Sequence, residues 1–255
     1  MIFDRKLLKQ NQIRAQKLFA NCNFLHHEIS NRLAENLSLM NCDFQDVLEI
    51  GAKDDYLQKL IEKTPTYNDL TRVMDKKINY YFCDDVELIN EKEKRFDLIV
   101  SNLNFHFIND IPAFLISVKE SLKEGGVFLA SFFGEENLSE LAHVLHKSEM
   151  EIYGGVSPRM APTIDVKTAA MLLQKAGFNS PISDFEKIEV EYKNPINLFK
   201  DLKFMGQGNV LQKRSRRFFS RRFLNQICKN YQEFYALENG LFKASFEIVT
   251  IAGWN

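Results

Sequence analysis

Apolar residues recur along this chain with two periods, and the alternation between them outlines an α/β protein. Leu25, Ile29, Leu33 and Leu37 return every fourth position, which predicts an amphipathic helix over 24–37. Val47-Leu48-Glu49-Ile50 is then a short aliphatic run closed by Gly51, after which positions 56, 57, 60 and 61 resume helical spacing. Thr64-Pro65 breaks the chain. Residues 70–75 and 78–83 read as strands, and Phe96-Asp97-Leu98-Ile99-Val100 as a buried one. Asp110 and Pro112 open a helix with Phe114, Leu115, Val118 and Leu122 on its inner face, stopped by Lys123-Glu124-Gly125-Gly126. A strand at 127–132, a polar-faced helix at 134–150 and a helix from Asp165 to Gly177 follow. Residues 187–192 and 242–251 alternate as an antiparallel pair, separated by a helical insert, 195–240. With helices over residues 1–40, the whole of 1–255 reads as a single domain.

Strand, glycine turn and helix at 47–61 is the arrangement with which an open α/β sheet builds a nucleotide-sized crevice at the carboxyl end of its first strand. An acid two positions before the glycine, Glu49, suits a cationic amine and points to adenosyl-methionine. Asp75, at the end of the next strand, is placed for ribose hydroxyls, with Asp69 a competing candidate and a solvated turn aspartate an equal reading. Asp84, followed by Asp85, lies just past the strand at 78–83, where it could accept from an adenine amino group. The turn itself reads Glu49-Ile50-Gly51-Ala52-Lys53-Asp54-Asp55, with Lys53 and Asp55 where such loops carry glycine. Were Lys53 forced to positive φ, the cost would be about 1–2 kcal/mol. Side chains at 53 and 55 could also fill the methionine end of the pocket, or pair with each other and plug it.

Composition narrows the class. Hydrophobic residues make up 45% of 255 and include 22 Phe, enough for a large core. A net charge of -1 gives no general attraction to nucleic acid or anionic membrane. Four widely spaced cysteines read as reduced thiols and show no metal-ligand spacing. No apolar run reaches the length of a membrane span, so the expectation is a cytoplasmic protein.

Other side chains carry weaker signals. Ser101-Asn102 ends the central strand, and His106 beyond it is a candidate general base or a hydrogen-bonded structural histidine. His26 and His27 point about 100° apart on a helix and read as surface residues. His143 and His146 share a helix face, without a carboxylate or cysteine pattern to complete a metal site. Tyr153-Gly154-Gly155-Val156-Ser157-Pro158-Arg159 is a shaped loop or equally a plain connection; Tyr153 and Arg159 are catalytic candidates, and Arg159 could clamp a carboxylate or phosphate bidentately. Six cations stand in ten positions at Lys213, Arg214, Arg216, Arg217, Arg221 and Arg222. They read as a solvated helix face over packed Phe218, Phe219 and Phe223, or as a docking patch for RNA, an acidic carrier protein or anionic lipid.

Several motifs together resemble one family. Phe3-Asp4-Arg5, Phe24-Leu25-His26, Asp97-Leu98-Ile99-Val100-Ser101-Asn102-Leu103 with His106 and Asn109-Asp110, and Tyr153-Gly154-Gly155 with Ser157-Pro158-Arg159 carry the likeness. So do Leu172-Leu173-Gln174-Lys175-Ala176-Gly177-Phe178, Asp201-Leu202-Lys203 with Met205-Gly206, and Ala244-Ser245-Phe246-Glu247-Ile248-Val249 with Gly253-Trp254. They resemble the methyltransferase-like assembly factors of respiratory complex I and their α-proteobacterial relatives. More distantly, the chain is similar to the biotin-pathway enzyme that methylates malonyl-carrier protein. The resemblance implies a Rossmann-like class I methyltransferase sheet, mostly parallel with an antiparallel last strand, and a C-terminal helical insert. It implies adenosyl-methionine as cofactor, lined by Glu49, Gly51, Asp84, Asp85, Ser101 and Asn102, with Asp75 at the ribose. It further implies a protein substrate, arginine modification in complex I assembly and a place at the inner membrane surface. The departure at Lys53 and Asp55 leaves a non-catalytic scaffold as the alternative.

Overall fold

The computed structural model describes residues 1–40, 42–63, 78–83 and 95–255, with only the backbone at residues 63 and 80–83. The helices are α1 (Arg5–Gln16), α2 (Phe24–Leu39), α3 (Tyr56–Lys63), α4 (Ile111–Ser121), α5 (Ser139–Tyr153), α6 (Val166–Lys175), α7 (Pro195–Phe204) and α8 (Arg221–Tyr235). The strands are β1 (Asp46–Ile50), β2 (Asn79–Cys83), β3 (Phe96–Asn102), β4 (Leu122–Phe133), β5 (Asn179–Tyr192) and β6 (Phe242–Trp254). They form one sheet in the order β2-β1-β3-β4-β6-β5. β1 pairs in parallel with both β2 and β3, and β3 with β4; the last strands are antiparallel. The chain leaves β1 for β2 on one side and returns to β3 on the other. That reversal opens a crevice beyond the carboxyl ends of β1 and β3. The strand expected at 70–75 and the residues Asp69, Asp75, Asp84 and Asp85 lie outside the described residues.

The chain divides into two compact units. One comprises Asn23–Phe133, Ile164–Phe185 and Val249–Asn255. In it β1 and β3 are nearly continuous apolar runs because a parallel sheet is covered on both faces. Ile99, Leu115, Phe128, Leu173 and Phe178 are among the residues of a core cluster in it. Asp110 caps α4 by accepting from the Ala113 N–H, and Asp165 caps α6 by accepting from Thr168, as the sequence led us to expect. At the opposite end of the sheet from the crevice, Lys123 Nζ joins Asp46 (2.6 Å) and Asp97 (3.1 Å), and Asp97 also accepts from the Gln45 and Asp46 N–H groups.

The other unit comprises Met1–Cys22, Gly134–Thr163 and Glu186–Ile248. Phe3 forms an antiparallel bridge with Leu211, and the Asp4 N–H donates to Val210. Within α5 and α8, Asn230 Nδ2 donates to Ser148 (3.0 Å) and Glu151 (2.9 Å).

Three elements differ from the sequence reading. β4 begins at Leu122 and not after Gly126, because 123–126 forms a bulge: Phe96 pairs with Leu122 and Leu98 with Val127. β5 runs from Asn179 through Pro181, whose missing N–H is tolerated because β5 is the sheet's edge. The basic run is not a helix face: α8 starts only at Arg221, after turns and irregular backbone.

Candidate cofactor crevice

The crevice is built where β1 and β3 end. Glu49, paired in register with Val100 of β3, is buried at 3% exposure, and Gly51 follows at φ +77. A Cβ at Gly51 would lie 1.9 Å from the Asn104 amide nitrogen, so glycine serves both the conformation and the close approach. Beyond Gly51 the loop takes another course from the one its missing glycines suggested. Among the described residues, positive φ at non-glycines occurs at Leu103, Leu138 and Ser180, and not at Lys53 or Asp55. The Asp55 carboxylate accepts from Lys59 one helical turn on (2.8 Å).

Asp54 shapes this loop instead. Its Oδ1 accepts from the Tyr56 N–H at the start of α3 (3.1 Å), and its Oδ2 meets His27 Nε2 (2.7 Å). The His27 ring stacks on Tyr56 at 3.8 Å and 8°. Tyr56 then donates its hydroxyl hydrogen to Asn31 Oδ1 (3.1 Å), one turn further along α2.

β3 ends in an equally constrained segment. The Ser101 hydroxyl donates to Ile50 carbonyl oxygen (3.2 Å), bracing β1 against β3. Asn102 Nδ2 donates to the His26 carbonyl and to Ser30 Oγ, both at 2.9 Å, while its Oδ1 accepts from Ser131 (3.4 Å). The Asn102 amide is thus spent on holding α2 and β4. Leu103 follows, buried and at φ +48, a conformation that costs an L side chain roughly 1–2 kcal/mol. Its N–H donates to Ser131. His106 lies between the rings of Phe107 (4.3 Å) and Phe133 (4.9 Å) and is buried.

His26 corrects the surface reading: it is buried on the face of α2 that carries Ile29, Ser30 and Leu33, while His27 is turned one residue away. Burial, and then the charge of Lys53 and the neighbouring imidazoles of His106 and His27, hold its pKa well below the ordinary 6.5. The sequence reading missed Asn31, Asp54, Tyr56 and Asn104. The local signals that could have found them are an aspartate two residues before an aromatic helix start and an asparagine just past the strand.

Tyr153 and Arg159 lie in the other unit and have their own partners. Arg159 Nε and Nη2 reach Glu149 Oε1 at 2.9 and 2.7 Å, and Ser157 donates to the same carboxylate from its N–H (2.7 Å) and hydroxyl (2.5 Å). The Arg159 guanidinium stands over Phe223 (4.8 Å) and Phe219 (5.8 Å), and Arg217 stands over Tyr153 (5.0 Å). Arg214 joins Asp4 (3.2 Å). Phe223 is fully buried, but Phe218 is 89% exposed, against the expectation that all three phenylalanines pack beneath the run. Lys213, Arg216, Arg217, Arg221 and Arg222 are exposed. His143 meets the Tyr235 hydroxyl (2.9 Å). Among the described residues there is no group of side chains with metal-binding spacing, and no helix long and apolar enough to cross a membrane.

The switch in strand order at β1, the buried acid and the glycine turn define a Rossmann-like protein of the class I methyltransferase type. Comparison with known proteins agrees and goes further. The family described as "Methyltransferase domain" matches residues 23–180. Arginine-hydroxylase NDUFAF5 of mouse mitochondria is 31% identical over 265 residues, covering 99% of this chain and 77% of the mouse protein. Malonyl-[acyl-carrier protein] O-methyltransferase of Methylovorus is 23% identical over 99% of this chain and 90% of its own. The solved structure of YcgJ from Bacillus subtilis shares the fold with a TM-score of 0.52 at 13% identity, over 89% of this chain and 98% of YcgJ. The chain belongs to the methyltransferase-domain family, and within it to the family of the NDUFAF5 arginine hydroxylases.

Proposed function

We propose that this protein is an adenosyl-methionine-dependent, methyltransferase-fold protein that acts on a protein substrate in respiratory complex I assembly, in the manner of its arginine-modifying relatives. The observation that carries the proposal is the whole-chain likeness to the arginine hydroxylases. The malonyl-carrier-protein reading has less behind it, with 23% identity to the Methylovorus enzyme against 31% to the mouse hydroxylase.

The described residues fit the cofactor at two points. Gly51 gives the close backbone approach such a ligand needs, and the buried Glu49 carboxylate suits a cationic amine. Asp75, Asp84 and Asp85 complete the proposed set at the ribose and adenine. Ser101 and Asn102 shape the wall by holding β1, α2 and β4. The sulfonium of adenosyl-methionine supplies the reactive carbon chemistry when bound. The protein's part is to position the substrate and exclude water.

The exposed run at 213–222 is proposed as the docking surface for an acidic face of the protein partner. From Leu202 to Gln232 the chain has no acidic residue. Arg221 and Arg222 also open α8 at the positive end of its dipole, a placement that costs stability and that an anionic partner would relieve. We place the protein in a bacterial cytoplasm, at the inner membrane surface where complex I is assembled.

Calorimetric titration with adenosyl-homocysteine, together with complex I activity in a deletion strain, tests the proposal. Micromolar binding and lost complex I activity are the expected results. A strain with full complex I activity would overturn the assembly role, and no heat at millimolar ligand would leave the scaffold reading.

A further inference from the structure

The crevice is enclosed by side-chain ties that form a closed circuit through three elements. The Asn104 amide packs on Gly51, and Ser101 donates to Ile50, which joins the end of β3 to the end of β1. Asn102 donates to the His26 carbonyl and Ser30, which joins the end of β3 to α2. His27 and Asn31 meet Asp54 and Tyr56, which joins α2 back to the loop that left β1. The first two sides are buried and made of strand ends. The third is partly exposed, with side-chain exposures of 25% for His27 and 35% for Asp54. It acts on the five-residue loop between β1 and α3 at its far end, where glycines would otherwise set the path.

From this circuit we infer that His27 and Asp54 are positioning residues for cofactor binding: a clasp from α2 that holds the 51–55 loop on the course the ligand requires. The inference deepens the cofactor reading proposed above and rests on it. Asp54 is suited to the task because one oxygen caps α3 while the other reaches across to α2, so a single side chain fixes both the direction of α3 and its distance from α2. The His27 ring lies flat on Tyr56, which restricts both rings to one rotamer and brings the Tyr56 hydroxyl to Asn31. A loop held this way loses little freedom when a ligand arrives, and that preorganisation is the contribution usually made by glycine-shaped backbone and its hydrogen bonds.

The test uses the full chain and four variants: His27→Ala, Asp54→Ala, Asp54→Asn and, as a control at the neighbouring exposed ion pair, Lys59→Ala. Two quantities are read, amide hydrogen exchange over 52–57 and calorimetric affinity for adenosyl-homocysteine. His27→Ala and Asp54→Ala should each accelerate exchange over 52–57 and weaken binding about tenfold, as expected for one lost charge-assisted hydrogen bond. Asp54→Asn keeps an acceptor for the Tyr56 N–H and should recover part of both losses, which a merely disrupted fold would not allow. Lys59→Ala should leave both readouts at parental values. Exchange over 52–57 that is unchanged in His27→Ala and Asp54→Ala overturns the clasp. Accelerated exchange with unaltered affinity overturns its role toward the cofactor. If the parent itself takes up no adenosyl-homocysteine, the cofactor reading fails and the clasp's role toward it falls with that, while exchange still shows whether the clasp orders the loop.

Discussion

Arg159 offers a sharp test, because its two readings predict opposite results. A substrate clamp can be removed with little loss of stability. The structure instead commits its guanidinium to Glu149, a carboxylate 2% exposed that also accepts twice from Ser157. Removing one partner of a buried pair costs roughly 3–5 kcal/mol because the other is left charged and buried. The two Ser157 hydrogen bonds remain in Arg159→Ala, so the lower end applies to the pair. Losing the stack on Phe223 and Phe219 adds about 1 kcal/mol. The expected penalty is therefore about 4 kcal/mol, which in a chain of this size lowers Tm by roughly 8–16 °C. Glu149→Gln should cost slightly less, and the cycle with Arg159→Ala should show a coupling of about 2 kcal/mol.

The pH dependence follows from the same carboxylate. Burial pushes Glu149 up, but the Ser157 hydroxyl and N–H and the Arg159 guanidinium outweigh it and hold its pKa below the ordinary 4.5. A group depressed in the folded state contributes stability above its unfolded pKa and loses it as pH falls through the folded value. The gap in Tm between parent and Glu149→Gln should accordingly be full at pH 7 and shrink below about pH 4. Thermal melts of the three variants across that range are the assay. A Tm for Arg159→Ala within about 2 °C of the parent, or a cycle coupling under about 0.5 kcal/mol, would refute the argument and restore the clamp.

Gly51→Ala should abolish adenosyl-homocysteine binding and lower Tm, since its Cβ would fall 1.9 Å from Asn104 at a φ of +77; a fully binding variant would show that the Asn104 contact can yield. Lys53→Gly with Asp55→Gly should not stabilise the protein, because neither residue is at positive φ; about 1 kcal/mol of loss per glycine is expected by chemical denaturation, and a gain would contradict the observed loop. The Lys123–Asp46 contact predicts a stability plateau. Hydrogen bonding to Lys123 and then Asn79 depresses Asp46, while hydrogen bonding to Asp46 raises Lys123. Its contribution is present above the ordinary carboxylate pKa, is lost in acid below it, and is lost in alkali as pH rises through the raised Lys123 value; Lys123→Met should flatten both limbs of a Tm-versus-pH curve. Phe218→Ser should change Tm by less than about 2 °C, since the ring is 89% exposed, and should weaken capture of an acidic partner if the run docks one.

What the sequence revealed and what it hid divide along a physical line. The stripe Leu25, Ile29, Leu33 and Leu37, the caps Asp110 and Asp165 and the buried run at 96–100 were legible because each is a local pattern, and each is buried or capped as its spacing implied. The crevice residues are joined by pairs far apart in sequence: Asn102 to the His26 carbonyl across 76 positions and His27 to Asp54 across 27. No periodicity marks such pairs. The missing glycines looked like damage because steric reasoning carried a glycine-shaped path over to a loop that does not follow it. With Asp54 capping α3 and holding His27, Lys53 and Asp55 need no left-handed backbone, and the substitutions carry no backbone strain. The same logic divides the cations of the basic run. Arg214 is anchored by Asp4 and Arg217 stands over the Tyr153 ring, whereas Lys213, Arg216, Arg221 and Arg222 are exposed. A charge count cannot make that distinction, because it does not show which cations the fold has already used.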